Sequence, residues 1–249
     1  MARAALPGRL IWQSASLIEL IEETPRCKSL VLDHPTWDGH RAGQHVDVRL
    51  TAEDGYQAQR SYSIASAPED GSLLLTVERL EDGEVSPYLV DELRSGDALE
   101  LRGPIGGYFV WEVPLGGPLL LIAGGSGIVP LRAMLRHRIA IGSDVEVRLL
   151  YSSRSLEDVI YRDELVRLDS ADGVDVRLAL TRDWPEDWDG HRGRITKDAL
   201  RAMSWPPQER PLAYVCGPSG FVEAIAEGLV QTGYDPSRIR TERFGPTGT

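Results

Sequence analysis

Arg60-Ser61-Tyr62-Ser63 offers a cation, an aromatic plate and two hydroxyls within four residues. An arginine fork donates two parallel hydrogen bonds to a phosphate, and a tyrosine stacks on a flat heterocycle while its hydroxyl still hydrogen-bonds. On a strand, Arg60 and Tyr62 point to one side and Ser61 and Ser63 to the other. An edge strand with one exposed arginine would carry the same residues without a ligand. Downstream, an apolar run ends in Gly124-Gly125-Ser126-Gly127-Ile128-Val129-Pro130. Glycines after a buried strand let backbone approach a ligand, and the helix that follows favours an anion at its start. This is not the G-x-G-x-x-G fingerprint, because a proline stands near the helix start and the third glycine is missing. A tight structural turn would look the same.

Three further groups carry chemistry. Gly83-Glu84-Val85-Ser86 reads as a helix N-terminus whose N–H groups and Ser86 hydroxyl could hold a pyrophosphate, or as an ordinary capped helix. Cys216-Gly217-Pro218 ends a later strand at the edge where open α/β sheets bind ligands, so Cys216 could approach a reacting ring or serve as a small buried hydrophobe. Ser153-Arg154, Arg182 and Arg194 follow strands or lie in loops that could reach the same edge. The arginines there would suit the 2′-phosphate of NADPH. Pairing with Asp183, Glu186, Asp187 and Asp189 is the competing reading.

Two kinds of element must position these residues. From Leu10 to about Val113 the chain alternates short strands and turns. Gln44–Leu50 has period two, as does the end of Leu73–Leu80, with turn signals at Glu81–Glu84 and Arg94–Asp97. A helix with Ser86 as N-cap, Pro87 at its first position and an apolar face of Leu89, Val90 and Leu93 interrupts them. This pattern predicts an antiparallel Greek-key β-barrel. From Pro118 onward, the buried run Leu119–Ala123, strands at Val145–Tyr151, Val174–Leu180, Leu212–Cys216 and Ile239–Phe244, and helices at Tyr161–Leu168 and after Cys216 alternate. That predicts a doubly wound parallel sheet. The division into residues 1–113 and 114–249 is expected in the Pro/Gly-rich stretch Glu112–Gly117.

The 249 residues suit two modest cores, and a net charge of −11 argues against nucleic acid or an anionic membrane as main partner. Cys27 and Cys216, the two cysteines, are too few for an iron–sulfur cluster. The five scattered histidines show no ligand spacing with them, so no metal site is expected. With no signal-peptide core and no apolar stretch of about 18 residues, the chain is expected to be soluble and cytoplasmic.

Taken in this order, the residues resemble the ferredoxin–NADP reductase superfamily over nearly the whole chain. The family's Arg-x-Tyr-Ser motif is matched by Arg60, Tyr62 and Ser63. The resemblance implies that Arg60 binds the flavin pyrophosphate, Tyr62 stacks on the isoalloxazine and Ser63 lies near its N5. Gly83 to Ser86 looks like the second flavin-phosphate motif, which favours FAD over FMN. Gly125, Gly127 and Pro130, with Cys216, Gly217 and Pro218, look like the nicotinamide motifs. Glu242-Arg243-Phe244 is similar to the family's terminal Glu-x-aromatic. There the aromatic covers the flavin face that nicotinamide must occupy and the glutamate sits close to the reacting centre. Phe244 is followed here by Gly245–Thr249, a tail expected to fold against the flavin. The implied activity is hydride transfer from NAD(P)H, with NADPH favoured over NADH, onto flavin N5. Electrons would then pass to a separate carrier: ferredoxin, flavodoxin, an oxygenase component or a molybdoenzyme component. A flavin-bearing subunit active only within a larger complex is the alternative.

Overall fold

The computed structural model describes residues 10–169 and 173–244. Six antiparallel strands come first: β1 (Gln13–Thr24), β2 (Cys27–Asp33), β3 (His45–Thr51), β4 (Gln57–Ser63), β5 (Leu73–Glu78) and β6 (Ala98–Ile105). They order as β4-β3-β6-β1-β2-β5, so β6 returns between β3 and β1 in a Greek-key path. The sheet curls until its edges meet, but they join at the single bridge Ile64↔Leu75. It is barrel-like rather than closed along its length. Leu17, Leu30, Val46, Val48, Ile64, Leu75, Val77, Leu99 and Leu101 fill the interior.

The β3–β4 register pairs Val46 with Tyr62 and Val48 with Arg60, and His45 with Ser63 and Asp47 with Ser61. Paired residues share a face. Arg60 and Tyr62 therefore lie on the face of the buried valines, and Ser61 and Ser63 on that of His45 and Asp47.

The helix expected near Ser86 is present but differently capped. Ser86 and Pro87 are already helical, the next five residues, Tyr88–Glu92, form a π-helical turn, and no side chain caps it. The Ser86 hydroxyl instead accepts from the Leu80 N–H at 3.0 Å. Leu80 follows the end of β5, where the ladder no longer supplies an acceptor, and Ser86 provides one. Leu89, Val90 and Leu93 are buried, so the apolar face is where periodicity put it.

The second half forms six parallel strands: β7 (Leu119–Gly124), β8 (Val147–Ser153), β9 (Val174–Leu180), β10 (His191–Arg192), β11 (Leu212–Pro218) and β12 (Ile239–Phe244). Helices α1 (Ile128–Ala140), α2 (Arg162–Asp169), α3 (Lys197–Met203) and α4 (Ser219–Gln231) complete it. Periodicity had predicted neither β10 nor α3. The apolar run of β7 is continuous because alternate residues serve two layers. Leu119, Leu121 and Ala123 pack with Leu131, Met134 and Leu135 of α1, while Leu120 and Ile122 pack with Val222, Ile225 and Leu229 of α4. The order β10-β9-β8-β7-β11-β12 sends the chain outward from β7 in one direction and then in the other. The crevice between β7 and β11 is the topological switch point, where ligands of such sheets bind. No helix among the described residues is long and apolar enough to cross a membrane.

Candidate functional site

The site grows from the ends of β4, β7, β11 and β12. At the end of β4 the Ser63 hydroxyl is buried and has no hydrogen-bond partner. Tyr62 packs against the barrel core, and burial pushes its phenol far above the ordinary range. Ser61 faces solvent and donates to Asp47 at 2.6 Å. Arg60 is half-exposed and pairs with Glu84 at 3.0 Å. Glu84 also accepts from the Tyr56 hydroxyl at 2.6 Å, and these two contacts keep its carboxyl below the usual range. The Gly83–Ser86 turn thus lies beside Arg60 through Glu84. Val85 is fully buried, and a Cβ on Gly83 would sit 2.9 Å from the Ser86 hydroxyl.

Across the switch point, Gly124 to Gly127 turn from β7 directly into α1. Gly125 has a left-handed φ of 55°. A Cβ on Gly127 would lie 2.1 Å from the Cys216 carbonyl oxygen, so glycine is needed for the two strand ends to approach. Pro130 is the third residue of α1, within the first turn whose N–H groups have no intrahelical acceptor, and it sacrifices no helix bond. On β11, Cys216 is fully buried. Burial, then the neighbouring Glu242, pushes its thiol well above the ordinary range. It is a neutral thiol, and Gly217 and Pro218 follow it at the strand end.

Strand β12 brings the barrel and the sheet together. It pairs Glu242 with Cys216 and Phe244 with Pro218. Phe244 packs against the core layer that holds Ala123 and Cys216. Glu242 reaches toward the barrel, its Oε1 lying 3.8 Å from His45 Nδ1. Its other oxygen is buried without a partner, and burial raises its pKa from 4.5 to about 7. Burial lowers the His45 pKa against the opposing pull of Asp47. Near neutral pH the contact therefore joins an uncharged imidazole to a half-protonated carboxyl and is not an ion pair. Sequence reasoning missed His45. The signal was available, since Ser63 and His45 are cross-strand partners, but only the register reveals it.

The arginine set stands along the same edge. Ser153 ends β8 and is buried, while the Arg154 carbonyl accepts from the Arg182 N–H at 2.9 Å. The Gly193 N–H bonds the Leu180 carbonyl at 2.7 Å, which brings the Arg194 turn beside β9. Among the described residues, the side chains of Arg154, Arg182 and Arg194 form none of the pairs with Asp183, Glu186, Asp187 or Asp189 that would have occupied them. The tail Gly245–Thr249 lies outside the described residues. A cavity of about 410 Å³ opens elsewhere, beside Glu22, Glu23, Glu157 and Asp163, and its acid-rich wall is unsuited to a dinucleotide.

The residues present fit two nucleotide cofactors. Two buried polar atoms, Ser63 Oγ and Glu242 Oε2, lack partners at the junction. Comparison with known sequences agrees. Residues 17–110 match the oxidoreductase FAD-binding domain model, and residues 121–227 match the oxidoreductase NAD-binding domain model. The chain belongs to the ferredoxin–NADP reductase superfamily. It is 35% identical over 213 residues to ferredoxin–NADP reductase B of Sorangium cellulosum, covering 82% of this chain and 84% of that one. It is 32% identical over 235 residues to the glycine betaine monooxygenase reductase subunit of Pseudomonas aeruginosa, covering 92% of this chain and 63% of that protein. The chain thus spans somewhat under two thirds of that longer relative. Among solved structures, the FAD/NAD-binding domain of nitric oxide dioxygenase from Vibrio cholerae superposes with a TM-score of 0.83 at 26% identity. That superposition covers 94% of this superfamily member and 99% of that chain.

Proposed function

We propose that this member is an NAD(P)H-dependent FAD oxidoreductase that passes electrons to a separate protein, an oxygenase component by analogy with the reductase subunits it resembles. The observation that carries the reading is the pair of unpartnered buried groups, Ser63 Oγ and Glu242 Oε2, where the FAD-binding and NAD-binding halves meet. When bound, the cofactors supply the difficult chemistry, hydride moving from nicotinamide C4 to flavin N5 and electrons leaving singly for an acceptor.

The chain's own residues bind, orient and protect. Arg60 holds the flavin diphosphate once it exchanges Glu84 for phosphate, and the backbone of Gly83, Val85 and Ser86 gives the second anchor that favours FAD over FMN. Tyr62 would offer a flat face to the ring, and the unpartnered Ser63 hydroxyl would donate near N5. Gly125, Gly127 and the start of α1 present N–H groups to the dinucleotide phosphates. Ser153, Arg154, Arg182 and Arg194 take the adenosine end, their unpaired guanidinium groups supporting NADPH over NADH. Cys216, Gly217 and Pro218 wall the nicotinamide. Phe244 would cover the flavin face and exclude water there until the nicotinamide takes its place. With a pKa near 7, Glu242 can hold or release a proton beside N5 at working pH. We take residues 1–113 as the flavin half and 114–249 as the nicotinamide half.

The test is direct. Purified protein should be yellow, bleach under anaerobic NADPH and release FAD on heating. A colourless protein that takes up no flavin would overturn the proposal, and release of FMN alone would overturn the choice of FAD.

A further inference from the structure

Helix α1 grips the barrel as well as opening the nicotinamide turn. Arg132 is buried within it and donates from one guanidinium nitrogen to the Ala65 carbonyl at 3.0 Å and from Nε to Glu164 at 2.7 Å. Arg136, one turn later, makes a two-pronged contact with Asp70 at 2.7 and 2.9 Å and reaches the other Glu164 oxygen at 3.0 Å. His137 bonds Glu69 at 2.8 Å. The receiving segment is itself fixed, because Asp70 accepts from the Ala67 N–H at 2.7 Å and the Ala65 N–H bonds the Leu74 carbonyl at 2.7 Å. Behind the clamp, the Arg132 guanidinium lies 4.4 Å over the Tyr161 ring. Tyr161 holds a left-handed φ of 61°, and its hydroxyl donates to Thr76 on β5.

The spacing gives these contacts their meaning. Ala65 is two residues beyond Ser63, and Arg132 is five residues beyond Gly127. A rigid path of about one and a half helical turns therefore links the strand that carries the flavin motif to the turn that carries the nicotinamide motif. Buried ion pairs contribute little net stability compared with apolar packing, whereas a hydrogen-bonded set of them favours one arrangement over others. The side chains of Arg132 and Glu164 are only 10% and 14% exposed.

We propose that Arg132 and Arg136, bridged by Glu164, are positioning residues that set the distance between the flavin-bearing strand and the nicotinamide-binding turn. This rests on the reductase reading above. Hydride transfer between two rings is steeply sensitive to such a distance, since a misplacement of about 1 Å can cost about 100-fold in rate.

The experiment uses the full chain with bound flavin and the variants Arg136→Met, Asp70→Asn and their double, which approach the clamp from opposite sides. Stopped-flow reduction by NADPH should slow about tenfold in each single variant, with KM within about twofold of wild type. The long-wavelength charge-transfer absorbance of stacked nicotinamide and flavin should weaken. Because Asp70→Asn weakens a contact that Arg136→Met already removes together with the Glu164 bond, the double should be no slower than Arg136→Met alone. Amide exchange across Ala65–Asp70 should quicken in all three. Variants reduced at the wild-type rate with an undiminished charge-transfer band, or a double whose loss is the product of the singles, would overturn the clamp alone. A wild-type protein that binds no flavin would overturn the functional reading, and the clamp with it.

Discussion

Replacing Glu242 by glutamine removes a buried carboxyl where the two halves meet, beside His45. That carboxyl ordinarily ionises near 4.5 and is held neutral by burial until about 7. At about 1.4 kcal/mol per tenfold change in ionisation constant, charging it in the folded state costs about 3 kcal/mol. The unfolded chain loses the proton first. Between pH 4.5 and 7 the folded state therefore holds a proton the unfolded state has released, and stability falls as pH rises through that window. Glutamine never ionises, so the variant escapes the fall. The two proteins should be equally stable near pH 4.5 and differ by about 3 kcal/mol above pH 8. With an unfolding entropy of about 2.1 cal/mol/K per residue, the melting temperature of the variant should exceed that of the wild type by about 6 °C at the higher pH. Calorimetry of nucleotide-stripped protein across this range is the assay. Curves of melting temperature against pH that run parallel for the two proteins would refute the buried, raised carboxyl and, with it, the proton-holding role.

Other outcomes follow from single contacts. Gly127→Ala should lose about 2 kcal/mol or more, read as a lower melting temperature together with weakened dinucleotide binding, because its Cβ meets the Cys216 carbonyl; an unchanged melting temperature would contradict the close approach. Arg60→Ala should weaken flavin binding about 10- to 100-fold, the range for a lost charge-assisted bond. Glu84→Gln should strengthen it by freeing Arg60, and fluorescence titration of flavin would distinguish these opposite signs. Arg154→Ala should raise KM for NADPH about tenfold and leave that for NADH unchanged; equal effects on both donors would assign Arg154 to the surface.

Much of this was legible in the residues, for physical reasons. Leu119–Ala123 had the short, continuous apolar run of a strand covered on both faces, and Ile239–Phe244 and Val174–Leu180 are strands as expected. The glycine turn was readable because Gly127 has a steric reason to lack a side chain. Ser86 was misjudged because a serine before a proline looks like an N-cap, whereas the nearest unsatisfied donor was the Leu80 N–H across the turn. His45, Arg132 and Arg136 left no local trace. Their roles depend on cross-strand register and on the packing of one half against the other, neither of which spacing along the chain encodes. Glu84 looked like a turn residue, and its pairing with Arg60 likewise required the fold.

The seam between β4 and β5 has a consequence for dissection. A sheet zipped by one bridge leaves β4 and β5 as edge strands for most of their length, the kind of edge that recruits strands from other chains. In the intact molecule, the segment that leaves β4 at this seam is held by the guanidinium groups of α1 at Ala65 and Asp70. Cut free of its neighbour, the first half would therefore be expected to self-associate along that seam, and the two halves should be expressed as one piece.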